Sequence, residues 1–487
     1  MIQILVILLS KNKTEGISIL MGSFLVEGNC KLSGTLRVTG NKNEALPVVA
    51  AALLTAKPVR LSNVPEIGDV HNMLKIASLL GADVTRTGDN EYRIAAADIA
   101  TSELPVELSN KIRASVLFAS ALLVRTGKAV ITQPGGDHIG RRRLDTHFLA
   151  FQALGATLDI ERTVSSSNIT RETAFILTAP KGGLRGADIY LDEASVTATE
   201  NALIAAAGAK GKTVIANAAS EPHVQGLCKF LQTIGVQIEG VGSNLLTIHG
   251  RSDFGAAEHE IGSDYIEAGS FIGLAAVTDS DLTISGVDTE LMRMMLFQFG
   301  RIGVVVETDH AKRELHVHGN QALKVRKDIG GAIPRIEDSP WPGFPTDLMS
   351  IFLVCATQSE GTCLIHEKMF ESRLFFVDKL IGMGASIILC DPHRAVIVGK
   401  SQLYGSSMSS PDIRAGMALL IAALAAQGSS LINGIEQIDR GYQEIDKRLN
   451  ALGAKIVRNT GKRADDVAEM LKGATKKPKS KPKSKSK

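Results

Sequence analysis

Aromatic side chains are scarce: one tryptophan, five tyrosines and fifteen phenylalanines make up 4% of 487 residues. The core must therefore be built from Leu, Ile, Val and Ala. Cysteine is also sparse. Cys30, Cys228, Cys355, Cys363 and Cys390 are odd in number and scattered, with no CxxC pair and no Cys/His cluster. That excludes a disulfide framework and a structural zinc, and it points to a reducing cytoplasm with most thiols in the core. No apolar run reaches the roughly 18 residues that a membrane span needs, so no membrane is expected as a partner. The short apolar stretch Ile2–Leu9 lacks the basic region and small-residue cleavage site of a secretion signal. Residues 1–20 read as an N-terminal extension, with a normal domain start at Met21. No GxGxxG follows a strand, which excludes nicotinamide and flavin binding. The P-loop look-alike Gly208-Ala209-Lys210-Gly211-Lys212-Thr213 places its first glycine too close to the Gly-Lys-Thr. It also follows a helix and precedes a strand, the reverse of what phosphate cradling requires.

Acids are absent from the last twelve residues, which hold seven lysines. Without those lysines the formal charge of +3 becomes −4, so the folded body carries no nucleic-acid signature. Residues 461–487 read as a Lys-rich disordered tail, solvated or tethered to an anionic polymer.

What the chain does have is repetition. Six helical runs end in Leu-Gly-Ala-like stops at Gly81, Gly155, Gly235, Gly303, Gly384 and Gly453, about 70 to 80 residues apart. Each stop is followed by a β-branched strand, and each unit reads helix, strand, helix, strand. In the first unit the helices are expected at Ala45–Leu54 and Asp69–Leu80, with strands at Val59–Leu61 and Ala82–Thr85. The second unit is expected to run from Arg113 to Ile160. Six α/β units in a chain of this length divide into two groups of three. The boundary is expected near Gly250–Gly262, and a cleft between the groups is a favoured ligand site.

The residues that interrupt this pattern are mostly cationic. Lys42 stands at the entry to a helix, where free N–H groups and the dipole attract anions; an ordinary capped helix start would look the same. The loop Pro134-Gly135-Gly136-Asp137-His138-Ile139-Gly140-Arg141-Arg142-Arg143 combines a carboxylate, three arginines and mobile glycines. Such a loop can close over an anion and exclude water. Asp347 lies at a helix start after two prolines, where it could equally be a cap. Arg373, Arg414 and Arg440 sit at comparable element ends, and arginine forks grip carboxylate and phosphate. Converging, Lys42, Arg142, Arg373, Arg414 and Arg440 would hold a small polyanion.

Ten motifs in order give these residues a family. They are Gly40-Asn41-Lys42-Asn43-Glu44, Ile112-Arg113, the Asp137 loop, Ser195-Val196-Thr197-Ala198-Thr199-Glu200-Asn201, Glu221-Pro222, Asp264-Tyr265-Ile266-Glu267, Gly343-Phe344-Pro345-Thr346-Asp347, Phe370-Glu371-Ser372-Arg373, Asp412-Ile413-Arg414 and Ile438-Asp439-Arg440. From about Gly22 to Asn459 the chain resembles the UDP-N-acetylglucosamine enolpyruvyl transferases. The resemblance implies a two-domain inside-out α/β barrel of six βαβαββ repeats, three per domain. Residues 42–262 would form the N-terminal-type domain, and residues 21–41 plus 263–460 the C-terminal-type domain. It implies transfer of enolpyruvyl from phosphoenolpyruvate to the 3′-hydroxyl of UDP-N-acetylglucosamine, the first committed step of peptidoglycan precursor synthesis. No metal and no organic cofactor would take part.

By the same resemblance, Asp347 would be the base facing the sugar hydroxyl. Lys42, Arg142 and Arg440 would hold the phosphate. Arg373 and Arg414 would hold the carboxylate or stabilise the closed form. Asn43, Arg113, Leu144, Asp145, Ser195, Val196 and Met369 would line the nucleotide-sugar site. Asp137 departs from the family, whose loop acid is usually cysteine. A carboxyl group is ordinarily ionised at pH 7, so loop closure and bound phosphoenolpyruvate would have to keep it supplied with a proton. The epoxide fosfomycin alkylates the family's cysteine, so insensitivity is expected here. Thr197 replaces a usual glycine and Arg143 a common proline, both on the acceptor side. Acceptance of another nucleotide, such as UMP, and a non-catalytic paralogue therefore stay open. The shikimate-pathway sister is disfavoured, because its Gly-Ser-Lys-Ser and Asn-Ala-Gly-Thr motifs are missing.

Overall fold

The computed structural model describes residues 22–137, 139–164 and 171–460. The N-terminal extension, Met21, His138 and the Lys-rich tail lie outside the described residues. Among the described residues the chain is an α/β protein with six small sheets. In the first, Val59–Ser62 pairs in parallel with Ala257–Glu260 and antiparallel with Glu91–Ala95, which in turn pairs with Asp83–Gly88. Four other sheets repeat this plan around Lys212–Ala216, Asp281–Ser285, Gly361–His366 and Ser429–Asn433. The remaining sheet, Lys128–Thr132, Arg171–Thr178 and Thr157–Val164, is antiparallel. Two strands that helix–strand alternation had not suggested are thus present: a short parallel strand at one edge and an antiparallel fourth. The second unit also runs past Ile160, because Arg171–Thr178 completes its sheet.

The six stop glycines share one backbone state. Their φ angles run from +91° at Gly303 to +111° at Gly81, a region that L side chains rarely adopt. That requirement is why the signal was visible in the sequence at all.

The chain crosses between two hydrophobic clusters. One gathers Ala45 through Ile261; the other gathers Phe24–Val38 together with Tyr265 through Ile456. Ser23–Glu27 lies between Ser429–Asn433 and Ile456–Asn459, and Ser33–Arg37 lies beside Asp281–Ser285. In the second cluster the helices Tyr265–Val277, Thr346–Thr357 and Ile413–Ala425 pack on one another and are buried almost all round. Their sequences are apolar on every face, which only an interior position tolerates. Among the described residues all five cysteines are free, with Cys228, Cys355 and Cys363 buried. Gly208–Thr213 follows the Val196–Ala207 helix and leads into the Lys212–Ala216 strand, the order that a P-loop cannot use.

Candidate active site

Helix starts and loop ends from both clusters converge on a cavity of about 260 Å³. Asn41 caps the Lys42–Ala51 helix by accepting from the N–H groups of Asn43 and Glu44. That orients Lys42, the first residue of the helix rather than the residue before it, so that Nζ lies 2.7 Å from Asp69 Oδ2. Asp69 is buried beside two cations. Burial alone would raise its pKa, but Lys42 and Arg440 outweigh it and hold the carboxyl below the usual range. Arg440 donates from Nε to Asp69 Oδ1 at 2.8 Å and from Nη1 to Asp137 Oδ1 at 2.6 Å. Lys42, Asp69, Arg440 and Asp137 therefore form one ionic chain across the cleft.

Asp347, in the first turn of the Thr346–Thr357 helix, anchors a second network. Its Oδ1 accepts from Arg373 Nη2 at 3.1 Å, and its Oδ2 accepts from Arg414 Nε at 3.0 Å. Burial opposes ionisation, but Arg414, Arg373 and Lys42 prevail and push its pKa far below the usual carboxylate range. Arg373 is buried, and its Nε and Nη1 have no hydrogen-bond partner. Nε lies 3.8 Å from Glu367 Oε2, too far for a hydrogen bond, and a guanidinium with N–H groups to spare is suited to grip an anion. Arg142 lines the same cavity and makes no ion pair or hydrogen bond among the described residues; burial depresses its pKa. Arg113 is pushed down to about 10, first by burial and then by Arg142. Seven guanidiniums, with Arg141 and Arg143 among them, and the Lys42 ammonium line this cavity, which suits a ligand carrying several negative charges.

The Asp137 loop is latched. Ile139 O accepts from the Ser372 N–H at 3.0 Å, and the Arg141 N–H donates to Glu371 Oε1 at 2.8 Å. Gly140, at φ +135°, lies so close that a Cβ there would meet Glu371 Oε2 at 2.4 Å. Glu371→Ala is expected to raise the KM for the anionic substrate about fivefold, one hydrogen bond's worth, with kcat much less affected. Steady-state kinetics checks this; an unchanged KM would mean that the latch is idle.

The lining also includes buried acids and rings. Burial raises the carboxyl of Glu200 well above its ordinary range and also raises Glu221. His223 is driven down to about 4 by burial, and its Nδ1 meets the Tyr265 hydroxyl at 3.2 Å. Trp341, the chain's single tryptophan, stands over Tyr265 with ring centroids 5.9 Å apart. The backbone N–H of Trp341 donates to Glu221 Oε1 at 3.3 Å. Thr197 turns its hydroxyl to His147 Nε2 at 3.2 Å. Arg143 is drawn away to Asp145 and Asp192 at 3.2 and 3.1 Å.

Of the expected residues, Lys42, Asn43, Arg113, Asp137, Arg142, Ser195, Val196, Asp347, Met369, Arg373, Arg414 and Arg440 line the cavity. Leu144 and Asp145 are not among its lining residues: Leu144 is buried in the first core, and Asp145 starts the Asp145–Ala153 helix at the surface. Ser195 also has a structural task, accepting from the Ala198 N–H as the cap of its helix. Sequence reasoning missed Asp69, which resembles any acid in a helical first turn, and Tyr442, whose hydroxyl accepts from Arg414 Nη1 at 3.2 Å. It also missed Glu367 and Asp338, both fully buried and in side-chain contact behind Arg373.

Two carboxyl groups in contact away from water cannot both ionise, so the pair holds a proton. Burial first, and then Asp338, raise the Glu367 pKa. The folded chain thus keeps a proton that the unfolded chain releases above about pH 4.5. Stability from this pair is present below that value and falls as pH rises. Glu367→Gln supplies a permanent N–H donor, so its stability relative to the parent is expected to improve from pH 5 to pH 8. Urea midpoints at the two values check this; an unchanged difference would show that no proton is shared.

A family model described as EPSP synthase (3-phosphoshikimate 1-carboxyvinyltransferase) matches residues 26–449. A UDP-N-acetylglucosamine 1-carboxyvinyltransferase of Treponema denticola is 53% identical over 436 residues, covering 90% of this chain and 99% of the relative. The protein of that name from Bradyrhizobium diazoefficiens is 53% identical, covering 89% and 97%. The one from Bacteroides fragilis is 47% identical, covering 90% and 100%. Among solved structures, the enolpyruvyl transferase NikO from Streptomyces tendae superposes with a TM-score of 0.77 at 24% identity, covering 91% of this chain and all of that one. EPSP synthase from Acinetobacter baumannii follows at 0.67 and 18% identity, covering 90% and 100%. These two likenesses bear on the fold.

Proposed function

The chain belongs to the UDP-N-acetylglucosamine 1-carboxyvinyltransferase branch of the EPSP synthase family, and from that premise we propose how its site works. The reaction transfers enolpyruvyl from phosphoenolpyruvate to the 3′-hydroxyl of UDP-N-acetylglucosamine and releases phosphate. Its product feeds peptidoglycan assembly. The observation that carries the assignment of the donor site is buried Arg373, whose Nη1 has no hydrogen-bond partner among the described residues, beside unpaired Arg142.

Phosphoenolpyruvate brings a carboxylate and a phosphate. Arg142, Lys42 and Arg440 take the phosphate, and Arg373 and Arg414 take the carboxylate. As the ligand engages Arg373 and Arg414, Asp347 loses part of the charge that suppresses its basicity, so the base is switched on by substrate. Asp347 then accepts the proton of the sugar hydroxyl as its oxygen attacks C2. Asp137, on the latched loop, donates a proton to C3. The tetrahedral ketal, whose C3 is now a methyl group, collapses by giving up one of its three C3 hydrogens as a proton to the Asp137 carboxylate and expelling phosphate into the cation cluster. The positive cluster stabilises charge developing on the leaving group without reorganising.

Asn43, Arg113, Ser195, Val196 and Met369 are assigned to the nucleotide sugar, with Leu144 and Asp145 at its outer edge. Thr197 and Arg143 line the cavity while their polar groups engage His147, Asp145 and Asp192, and the ordinary nucleotide sugar is read as the acceptor on the strength of the relatives. Phosphate release measured with UDP-N-acetylglucosamine, UMP and shikimate 3-phosphate in parallel tests this. The nucleotide sugar is expected to give the highest kcat/KM; a preference for UMP would reassign the acceptor.

We read residues 42–262 and residues 21–41 plus 263–460 as two three-unit domains of inside-out barrel type. The two hydrophobic clusters and the crossed strand pairings support this reading. Among the described residues no helix is long and apolar enough to cross a membrane. Free cysteines support a cytoplasmic location, and the seven lysines of the tail support contact with anionic polymers.

A further inference from the structure

The sheet built around Asp281–Ser285 carries a group of residues that the reaction does not use. Strand alternation turns Leu282, Ile284, Leu315 and Val317 into the core. The register pairs Leu282 with Val317 and Thr283 with His316, so Asp281, Thr283, His316 and His318 share the outer face. Glu307, paired with His316 on the next strand, joins them.

Their nitrogens are arranged in a particular way. His316 Nε2 lies 3.6 Å from Asp281 Oδ1, and His318 Nδ1 lies 3.6 Å from Asp281 Oδ2. One donor atom from each of the three residues falls within 4.8 Å of the others. A tetrahedral ion with bonds of about 2.0–2.1 Å spaces its ligands about 3.3–3.4 Å apart, so small side-chain shifts would close the set. The other nitrogen of each ring is already engaged. His316 Nδ1 meets the Thr283 hydroxyl at 2.8 Å, and His318 Nε2 meets Glu307 Oε2 at 3.1 Å. An imidazole whose far nitrogen is tied to an oxygen has its tautomer and ring orientation fixed for metal binding.

We propose that Asp281, His316 and His318 form a surface site for a divalent transition-metal ion of the zinc type, with Thr283 and Glu307 orienting the two imidazoles. Two imidazoles and one carboxylate suit zinc or cobalt(II) rather than magnesium or calcium, and a water completes the tetrahedron. The ion clips two adjacent strands of the sheet and takes no part in enolpyruvyl transfer.

The test is a cobalt(II) titration of the untagged full chain, followed by visible absorption. One equivalent is expected to bind with the intense bands of a tetrahedral ion, displaced by zinc. His316→Ala and His318→Ala should each abolish the bands while phosphate release stays at the parent rate. Glu307→Gln should weaken binding about tenfold to hundredfold, an effect that a chance pair of surface histidines would not show. A featureless titration, or full binding by the His316→Ala/His318→Ala double variant, would overturn the assignment.

Discussion

Asp347→Asn is expected to lower kcat by about two to four orders of magnitude, the usual contribution of a positioned general base. The substitution keeps the size of the side chain and removes only its basicity and charge. Arg373 and Arg414 then lose their shared partner, so the site becomes more cationic. Affinity for phosphoenolpyruvate should therefore be retained or strengthened while turnover collapses. Equilibrium titration with phosphoenolpyruvate beside steady-state kcat separates the two effects. The melting temperature should fall, because two buried guanidiniums are left without their carboxylate. A variant that turns over at the parent rate would place the base elsewhere.

The second large effect concerns Asp137. Asp137→Asn cannot donate a carboxyl proton, and kcat is expected to fall by about two to four orders of magnitude. Asp137→Cys restores a group that can cycle a proton and should recover much of the loss. It also introduces a nucleophile. A thiolate opens the fosfomycin epoxide by forming a carbon–sulfur bond as the ring carbon–oxygen bond breaks, and the ring oxygen then takes a proton. The parent carboxylate is a much weaker nucleophile and is engaged by Arg440 Nη1 at 2.6 Å. Parent activity should survive prolonged exposure to fosfomycin, whereas the cysteine variant should inactivate with time and gain the mass of the inhibitor. Time-dependent inactivation of the parent with an adduct on Asp137 would refute the account of the loop.

Much of this was legible in the sequence, for reasons that differ by residue. The stop glycines stood out because positive φ leaves few other choices. The arginines stood out because they interrupt an aliphatic repeat. The strands supplied from a distance did not: Ser23–Glu27 and Ala257–Glu260 are short, and each completes a sheet far away in sequence. Asp69 was hidden because an acid in a first helical turn needs no special explanation; only the fold brings Arg440 to it. Asp338 and Glu367 meet because Arg335–Glu337 lies parallel to Gly361–His366, a pairing with no local signature. His316 and His318 did carry a signal, two imidazoles on one face of a strand, but Asp281 joins them only through the register. Leu144 and Asp145 were expected at the nucleotide sugar from resemblance alone, and the cavity's walls do not include them.

The claim at the centre is that this chain transfers an enolpyruvyl group to a nucleotide sugar with a carboxyl acid on its loop. The most direct test is to incubate the purified chain with phosphoenolpyruvate and UDP-N-acetylglucosamine in deuterium oxide, then record phosphorus NMR and the mass of the nucleotide product. The account predicts stoichiometric inorganic phosphate and a nucleotide sugar enlarged by one enolpyruvyl group. Deuterium is expected at the vinyl carbon, and Asp137→Asn should form almost none of this product. Unchanged nucleotide sugar, with phosphoenolpyruvate intact under conditions where both are bound, would contradict it.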